Sequence, residues 1–329
     1  MTQPATSTRL LPGETTVSRR GFLKFCGLMA ATLALPGRYA GNIARALADG
    51  PRLPVVWLEF QDCTADSMSF LKASARSDPL QPGVTDPSIV DILFDFISLE
   101  YHETLMAPSG ASAELSLNNV LSNYPGEYLA VVEGAIPSGA NGAYCTIRGR
   151  TALSIAQQVL PGARAVIAVG TCATNGGLPA AAPNPTSAAG VRSVVPGLAN
   201  YLALPGCPMN VVNMAAVIVH LITFNTLPPR DSAGRPHFAY GDEIHEHCER
   251  KIHYEHDRFV LEWGDAGHQN GWCLYQMGCK GPETRHNCST VKWNSGTCWP
   301  VAAGHGCVGC SEPGFWDRFP VYQPLPDDR

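Results

Sequence analysis

Seven of the twelve cysteines and eight of the ten histidines fall between His237 and Cys310, and this crowding limits what that stretch can become. The same stretch is rich in Gly, Pro and Trp, and its hydrophobic periodicity fades, so it cannot build a large regular core. Soft donors at such density point to bound metal as an internal scaffold, either zinc or iron–sulfur clusters. The spacings are His245-x-x-Cys248, Cys273-x5-Cys279, then Cys288, Cys298 and Cys307-x-x-Cys310. They divide into one His/Cys3 site and one site with three or four cysteines. Spacing alone leaves zinc and iron–sulfur equally open at both.

Upstream the texture is different. Between residues 53 and 227, strand-like runs alternate with helix-like ones, the pattern of a parallel α/β sheet. Residues 53–60 read as a first buried strand, 128–133 and 165–170 as further short apolar strands, and 201–204 as another. Residues 88–99, 151–159 and 210–224 read as helices; Ile89, Leu93, Phe96 and Ile97 sit at helical spacing in the first of these. Cys63, Cys172 and Cys207 each follow a strand-like run. In open parallel sheets, ligands gather beyond the carboxyl ends of the strands. Three loop cysteines at that edge can therefore converge on one cofactor.

The N-terminus reads as an address. Ser18-Arg19-Arg20-Gly21-Phe22-Leu23-Lys24 places twin arginines before an apolar run, and Ala46-Leu47-Ala48 supplies a small-x-small cleavage site. This looks like a Tat export signal spanning residues 1–48. Cleavage after Ala48 leaves 281 residues with 17 basic and 27 acidic side chains, a net charge of −10, and eleven cysteines. An odd count argues against a purely disulfide framework. A net charge of −5 for the whole chain, with 45% hydrophobic residues, excludes a disordered chain and a basic nucleic-acid binder. No apolar run past the leader approaches the ~20 residues that span a bilayer; the longest, 211–224, is interrupted by Asn213 and His220. The expected organisation is a leader (1–48), an α/β domain (49–235) and a loop-rich metal domain (236–329).

Several ordered motifs carry a family resemblance. Gly170-Thr171-Cys172-Ala173-Thr174, Pro183-Asn184-Pro185-Thr186, Leu204-Pro205-Gly206-Cys207-Pro208, Tyr275-Gln276-Met277-Gly278-Cys279-Lys280-Gly281-Pro282, Trp299-Pro300-Val301 and the run from Ala303 through Cys307-Val308-Gly309-Cys310 to Pro313 resemble the small subunit of [NiFe] hydrogenases. The resemblance extends from the leader to Phe315-Trp316. It implies a flavodoxin-like domain of doubly wound parallel sheet, followed by a smaller iron–sulfur domain. It also implies three clusters that carry electrons from H2 oxidation, which occurs at a Ni–Fe site in a separate large subunit, to an acceptor.

Carried over by position, the resemblance assigns Cys63, Cys172 and Cys207 to a proximal [4Fe–4S] cluster, and His245, Cys248, Cys273 and Cys279 to a distal [4Fe–4S] cluster. Cys288, Cys307 and Cys310 fall to a medial [3Fe–4S] cluster. The family's first motif is Cys-x-x-Cys; here Asp66 holds its last position. A carboxylate is a harder donor than a thiolate and alters a cluster's potential. The bland alternative is that Asp66 caps a helix beginning at Ser67. Three cysteines with one aspartate resemble the actinobacterial-type uptake hydrogenases. The two extra cysteines of another oxygen-tolerance device are absent, since Ala65 and Gly177 stand there. Cys298 is a second departure: it is either a fourth medial ligand, giving [4Fe–4S], or a buried free thiol. Cys145 reads as core, and His247, His253 and His256 as a solvated charged run.

The resemblance thus implies a heterodimer with the large subunit, alone or paired into a dimer of heterodimers. It is expected to be exported to the periplasm or the outer face of the cytoplasmic membrane, soluble or attached through a partner, with no spanning segment of its own in the mature chain. Two other classes remain: a stand-alone iron–sulfur carrier, and an exported binding module stabilised by zinc.

Overall fold

The computed structural model describes residues 19–72, 89–293 and 296–325. Five parallel strands form the central sheet: β1 (Leu53–Glu59), β2 (Ile97–His102), β3 (Leu129–Glu133), β4 (Ala165–Val169) and β5 (Tyr201–Leu204). Their spatial order is β2-β1-β3-β4-β5, the flavodoxin-like doubly wound order. β3 and β4 are buried at every position, which is why they read as continuous apolar runs rather than alternating ones.

Helices cover both faces. Val55 and Trp57 point into one core and Val56 and Leu58 into the other, as strand alternation dictates. The second core is closed by α5 (Ala111–Asn123) and α6 (Ala152–Val159), the first by α4 (Ile89–Phe96) and α8 (Val211–Phe224). α6 starts where the Thr151 side chain accepts the Ser154 N–H, and α8 where Asn210 accepts the Val212 N–H at 2.9 Å. Each such cap stabilises its helix by about 1 kcal/mol.

One expected helix is shorter than its periodicity suggests. α4 stops at Phe96, and Ile97 opens β2 without an intervening loop. Leu53 and Ile97 are paired in register, so an open edge of β1 captures residues whose local spacing still fits a helix.

Two helices of the expected leader, α1 (Arg19–Thr32) and α2 (Tyr39–Asp49), pack onto the first core. Cys26, Met29 and Ile43 are fully buried there. Phe22 meets Phe96 at 5.8 Å between ring centroids, and Tyr39 meets Phe224 at 5.9 Å. Arg19 and Arg20 remain exposed. Among the described residues, no helix is long and apolar enough to cross a membrane.

Beyond α8 regular structure thins to short helices, such as Lys251–Glu255 and Cys288–Val291. His237–Tyr240 still packs on the first core through Ala239 and Tyr240. Farther on, cysteines become part of the packing: Cys288 and Cys307 join Ile244, Val260, Leu274, Trp299 and Val301 in one small cluster. Cys273 joins Tyr275, Phe319 and Leu325 in another.

Candidate metal centres

Glu59, Glu133, Val169 and Leu204 stand in register across the carboxyl edge of the sheet. The loops just beyond them carry Cys63, Cys172 and Cys207. α3 (Ala65–Leu71) follows the first of these loops, and Cys172 lies in α7 (Gly170–Asn175). α3 begins two residues earlier than a cap at Asp66 requires: Thr64, at φ +59°, is the cap residue, and Asp66 lies in the first turn. The Asp66 carboxylate instead accepts the Met209 N–H at 2.6 Å. Gly170, at φ +74°, passes so close that a Cβ there would collide with Asp66 Oδ2.

Burial and neighbouring charge raise the proton affinity of Asp66, Cys172 and Cys207. Burial, then the Glu133 charge, pushes the Asp66 carboxyl up to about 8. Burial pushes the Cys172 thiol up to about 11, with the charges of Asp66 and Cys63 adding to it. Burial, then Cys310, Cys172, Cys63 and Asp66, pushes Cys207 up to about 12.

Sequence reasoning missed a buried network beside this group. Glu133 is fully buried and accepts the N–H of Asp66 at 3.0 Å, the N–H of Ser67 at 3.1 Å and the Trp57 indole N–H at 3.0 Å. It thereby fixes the first turn of α3, where an anion also suits the helix dipole. Glu59, Asp62 and Glu133 bring carboxylate oxygens within 4.8 Å of one another. Burial, then Glu133 and Glu59, raises Asp62 to about 6. The available signal was an ionisable residue closing each of two apolar strands, Glu59 and Glu133.

His245, Cys248, Cys273 and Cys279 line one small pocket of the C-terminal region. Burial, then Lys251, holds the His245 imidazole below its ordinary value, which keeps it neutral and able to donate a lone pair. Burial raises Cys273 to about 11, and the charges of Cys279 and Cys248 act in the same direction.

Cys288, Cys298, Cys307 and Cys310 share the wall of a larger cavity, about 1250 Å³, with Cys63 and Cys207. Burial and the Cys310 charge raise the Cys288 thiol, which also receives the Trp293 indole N–H. Cys298 Sγ lies 3.4 Å from the Trp299 carbonyl oxygen. His286, a second residue that the motifs did not reveal, is buried with Nδ1 2.9 Å from Cys288 Sγ. Cys145 packs against the second core, and exposed His247 pairs with Asp242, so neither joins these groups. His305 stacks on Trp263.

The three groups are linked by hydrogen bonds. The Thr171 hydroxyl, next to Cys172, donates to the Cys310 carbonyl, and the Cys307 N–H donates to Cys279 Sγ at 3.3 Å. None of the twelve cysteines is in a disulfide. Buried thiols that raise one another's proton affinity cannot ionise together unless a cationic group offsets the charge. An iron–sulfur or zinc centre does this, and the donor chemistry fits either.

The comparisons decide between them. Residues 240–323 match the family described as the C-terminal part of the NiFe/NiFeSe hydrogenase small subunit, and residues 81–221 match NADH ubiquinone oxidoreductase, 20 Kd subunit. The Hydrogenase-2 small chain of Escherichia coli strain K12 is 43% identical over 308 residues, 93% of this chain and 80% of that one. This chain belongs to the [NiFe] hydrogenase small subunits. The uptake hydrogenase small subunit of Azotobacter vinelandii is 42% identical over 94% of this chain and 83% of its own length.

Solved structures agree on the fold of this hydrogenase small subunit. A chain of the H2-activated [NiFeSe]-hydrogenase of Dm. baculatum superposes with a TM-score of 0.72 at 32% identity, over 84% of this chain and all of that one. The actinobacterial-type NiFe-hydrogenase from Ralstonia eutropha H16 gives a TM-score of 0.69 over 84% of each chain at 24% identity, a likeness of fold.

Proposed function

We propose that this protein passes electrons from H2 oxidation in a [NiFe] large subunit to an external acceptor. The observation that carries the reading is the row of three donor groups, joined by the Thr171-to-Cys310 and Cys307-to-Cys279 hydrogen bonds. Iron–sulfur clusters supply one-electron redox centres when bound.

Cys63, Asp66, Cys172 and Cys207 would hold the proximal [4Fe–4S] group, and His245, Cys248, Cys273 and Cys279 the distal [4Fe–4S] group. Cys288, Cys307 and Cys310 would hold a medial [3Fe–4S] group, which becomes [4Fe–4S] where Cys298 joins. Each donor set has a protein role. Glu133 and Met209 orient the Asp66 carboxylate, so that a hard ligand is held beside three thiolates. Exposed Cys63 and Cys207 mark the face on which the large subunit seats. The neutral His245 leaves the exit group with less negative charge than four thiolates do.

Residues 49–235 and 236–329 are the two functional units in this reading. The exposed Arg19-Arg20 pair supports Tat export of the folded, loaded protein with its large subunit, to the periplasm or the outer face of the cytoplasmic membrane.

The test is purification of the natural complex, followed by iron, acid-labile sulfide and nickel analysis and by EPR during a redox titration. Three iron–sulfur signals, with nickel protein at equal stoichiometry, are expected. A colourless, zinc-bearing chain overturns the reading.

A further inference from the structure

Thr171 is the second residue of α7, directly before Cys172, and is 2% exposed. Its N–H donates to the Gly206 carbonyl at 2.8 Å. Its Oγ1 accepts the Gly206 N–H at 3.0 Å. The hydroxyl proton is directed at the carbonyl oxygen of Cys310, with the Gly206 carbonyl also near at 3.1 Å. One small side chain therefore meets three chain segments. It is bonded covalently to Cys172, it grips the residue before Cys207, and it reaches Cys310, 139 positions away in sequence.

The first two segments belong to the proximal group and the third to the medial group. Cys207 and Cys310 lie on the wall of the same cavity. The backbone around it has little stiffness of its own: Gly170 stands at φ +74° and Gly206 at φ +155°, and neither glycine has a side chain to pack. The hydroxyl is thus a direct tie between the Cys310 loop and the Cys207 loop.

We propose that Thr171 is a positioning residue that fixes the gap between the proximal and medial clusters. The inference rests on the ligand sets proposed above. Electron tunnelling falls off steeply with distance, so a widened gap slows the interior step without altering either ligand set. A valine has the same shape but no hydroxyl proton; a serine keeps the hydroxyl and loses only the methyl.

The test compares native heterodimer with Thr171→Val and Thr171→Ser. Iron content and the magnetic interaction between proximal and medial clusters are read by EPR in partly reduced samples. With Thr171→Val, the iron content is expected to stay native and the magnetic splitting to diminish. With Thr171→Ser, both are expected to stay native. Native splitting in an iron-replete Thr171→Val overturns the proposal. So does diminished splitting in Thr171→Ser, whether or not the valine variant retains its iron. Native enzyme without proximal and medial EPR signals instead overturns the ligand sets themselves.

Discussion

The backbone N–H of Cys307 points at the sulfur of Cys279 across 3.3 Å, so one candidate medial ligand is hydrogen-bonded to a candidate distal one. The next residue of the chain returns the contact, since the Lys280 N–H donates to the Cys307 carbonyl at 2.7 Å. Hydrogen bonds to cluster sulfurs are among the factors that set reduction potentials. Replacement of Cys279 by serine is therefore expected to disturb two centres. The distal signal should be lost or displaced, and the medial midpoint should move as the Cys307 N–H exchanges a sulfur acceptor for a hydroxyl oxygen. A redox titration followed by EPR reads both; a medial midpoint identical to native would refute the coupling.

Asp66 gives a second prediction. Its carboxylate is buried and held by the Met209 N–H. In Asp66→Cys a softer donor takes that place, so the proximal midpoint and the activity retained in air should both change. An unchanged titration together with unchanged activity in air removes Asp66 from the ligand set.

Gly177 stands at φ +51°, and a Cβ there would lie 2.8 Å from Cys172 Sγ. Gly177→Ala is expected to cost about 1–3 kcal/mol in backbone strain and to displace the sulfur. Chemical denaturation and iron content measure the two effects. Native values for both would show that the loop accommodates a side chain.

Glu103 supplies a pH test away from the thiolates. Burial, with the Glu59 charge acting in the same direction and the Glu59 N–H against it, raises its carboxyl from 4.5 to about 8. Between those two values the folded chain binds a proton that the unfolded chain has released, so this group's contribution to stability falls as pH rises through the window. Glu103→Gln should match native near the lower value and melt at a higher temperature near the upper one. Parallel melting curves across the window would exclude the effect.

The docked N-terminal helices α1 and α2 give a stability test. Met29 and Ile43 are fully buried, and burying such a side chain is worth about 1.5–3 kcal/mol before the entropy of ordering is subtracted. The unprocessed chain should therefore melt above a chain beginning at Asp49. Equal melting temperatures would mean that α1 and α2 add nothing to the fold.

The buried parallel strands were legible because their signal is local: Ala165–Val169 and Leu129–Glu133 are apolar throughout, apart from the closing Glu133. β2 was not, because its pairing with β1 decides its conformation against its own spacing. The cysteine loops could be placed at the sheet edge from sequence, since each follows a strand. Their surroundings could not. Glu133 reaches Asp66 across 67 residues and Thr171 reaches Cys310 across 139, and no periodicity reports such contacts. The burial of α1 was equally hidden, since an export address carries its own apolar run and need not use it in the fold.

The carbonyl of Cys310 accepts its hydrogen bond from Thr171, the residue before Cys172. On the proposed ligand sets, the residues that would pass current between the two halves of the chain are thus neighbours of the rivet that holds those halves together. Damage at that one point would then cut the circuit and loosen the joint in the same event.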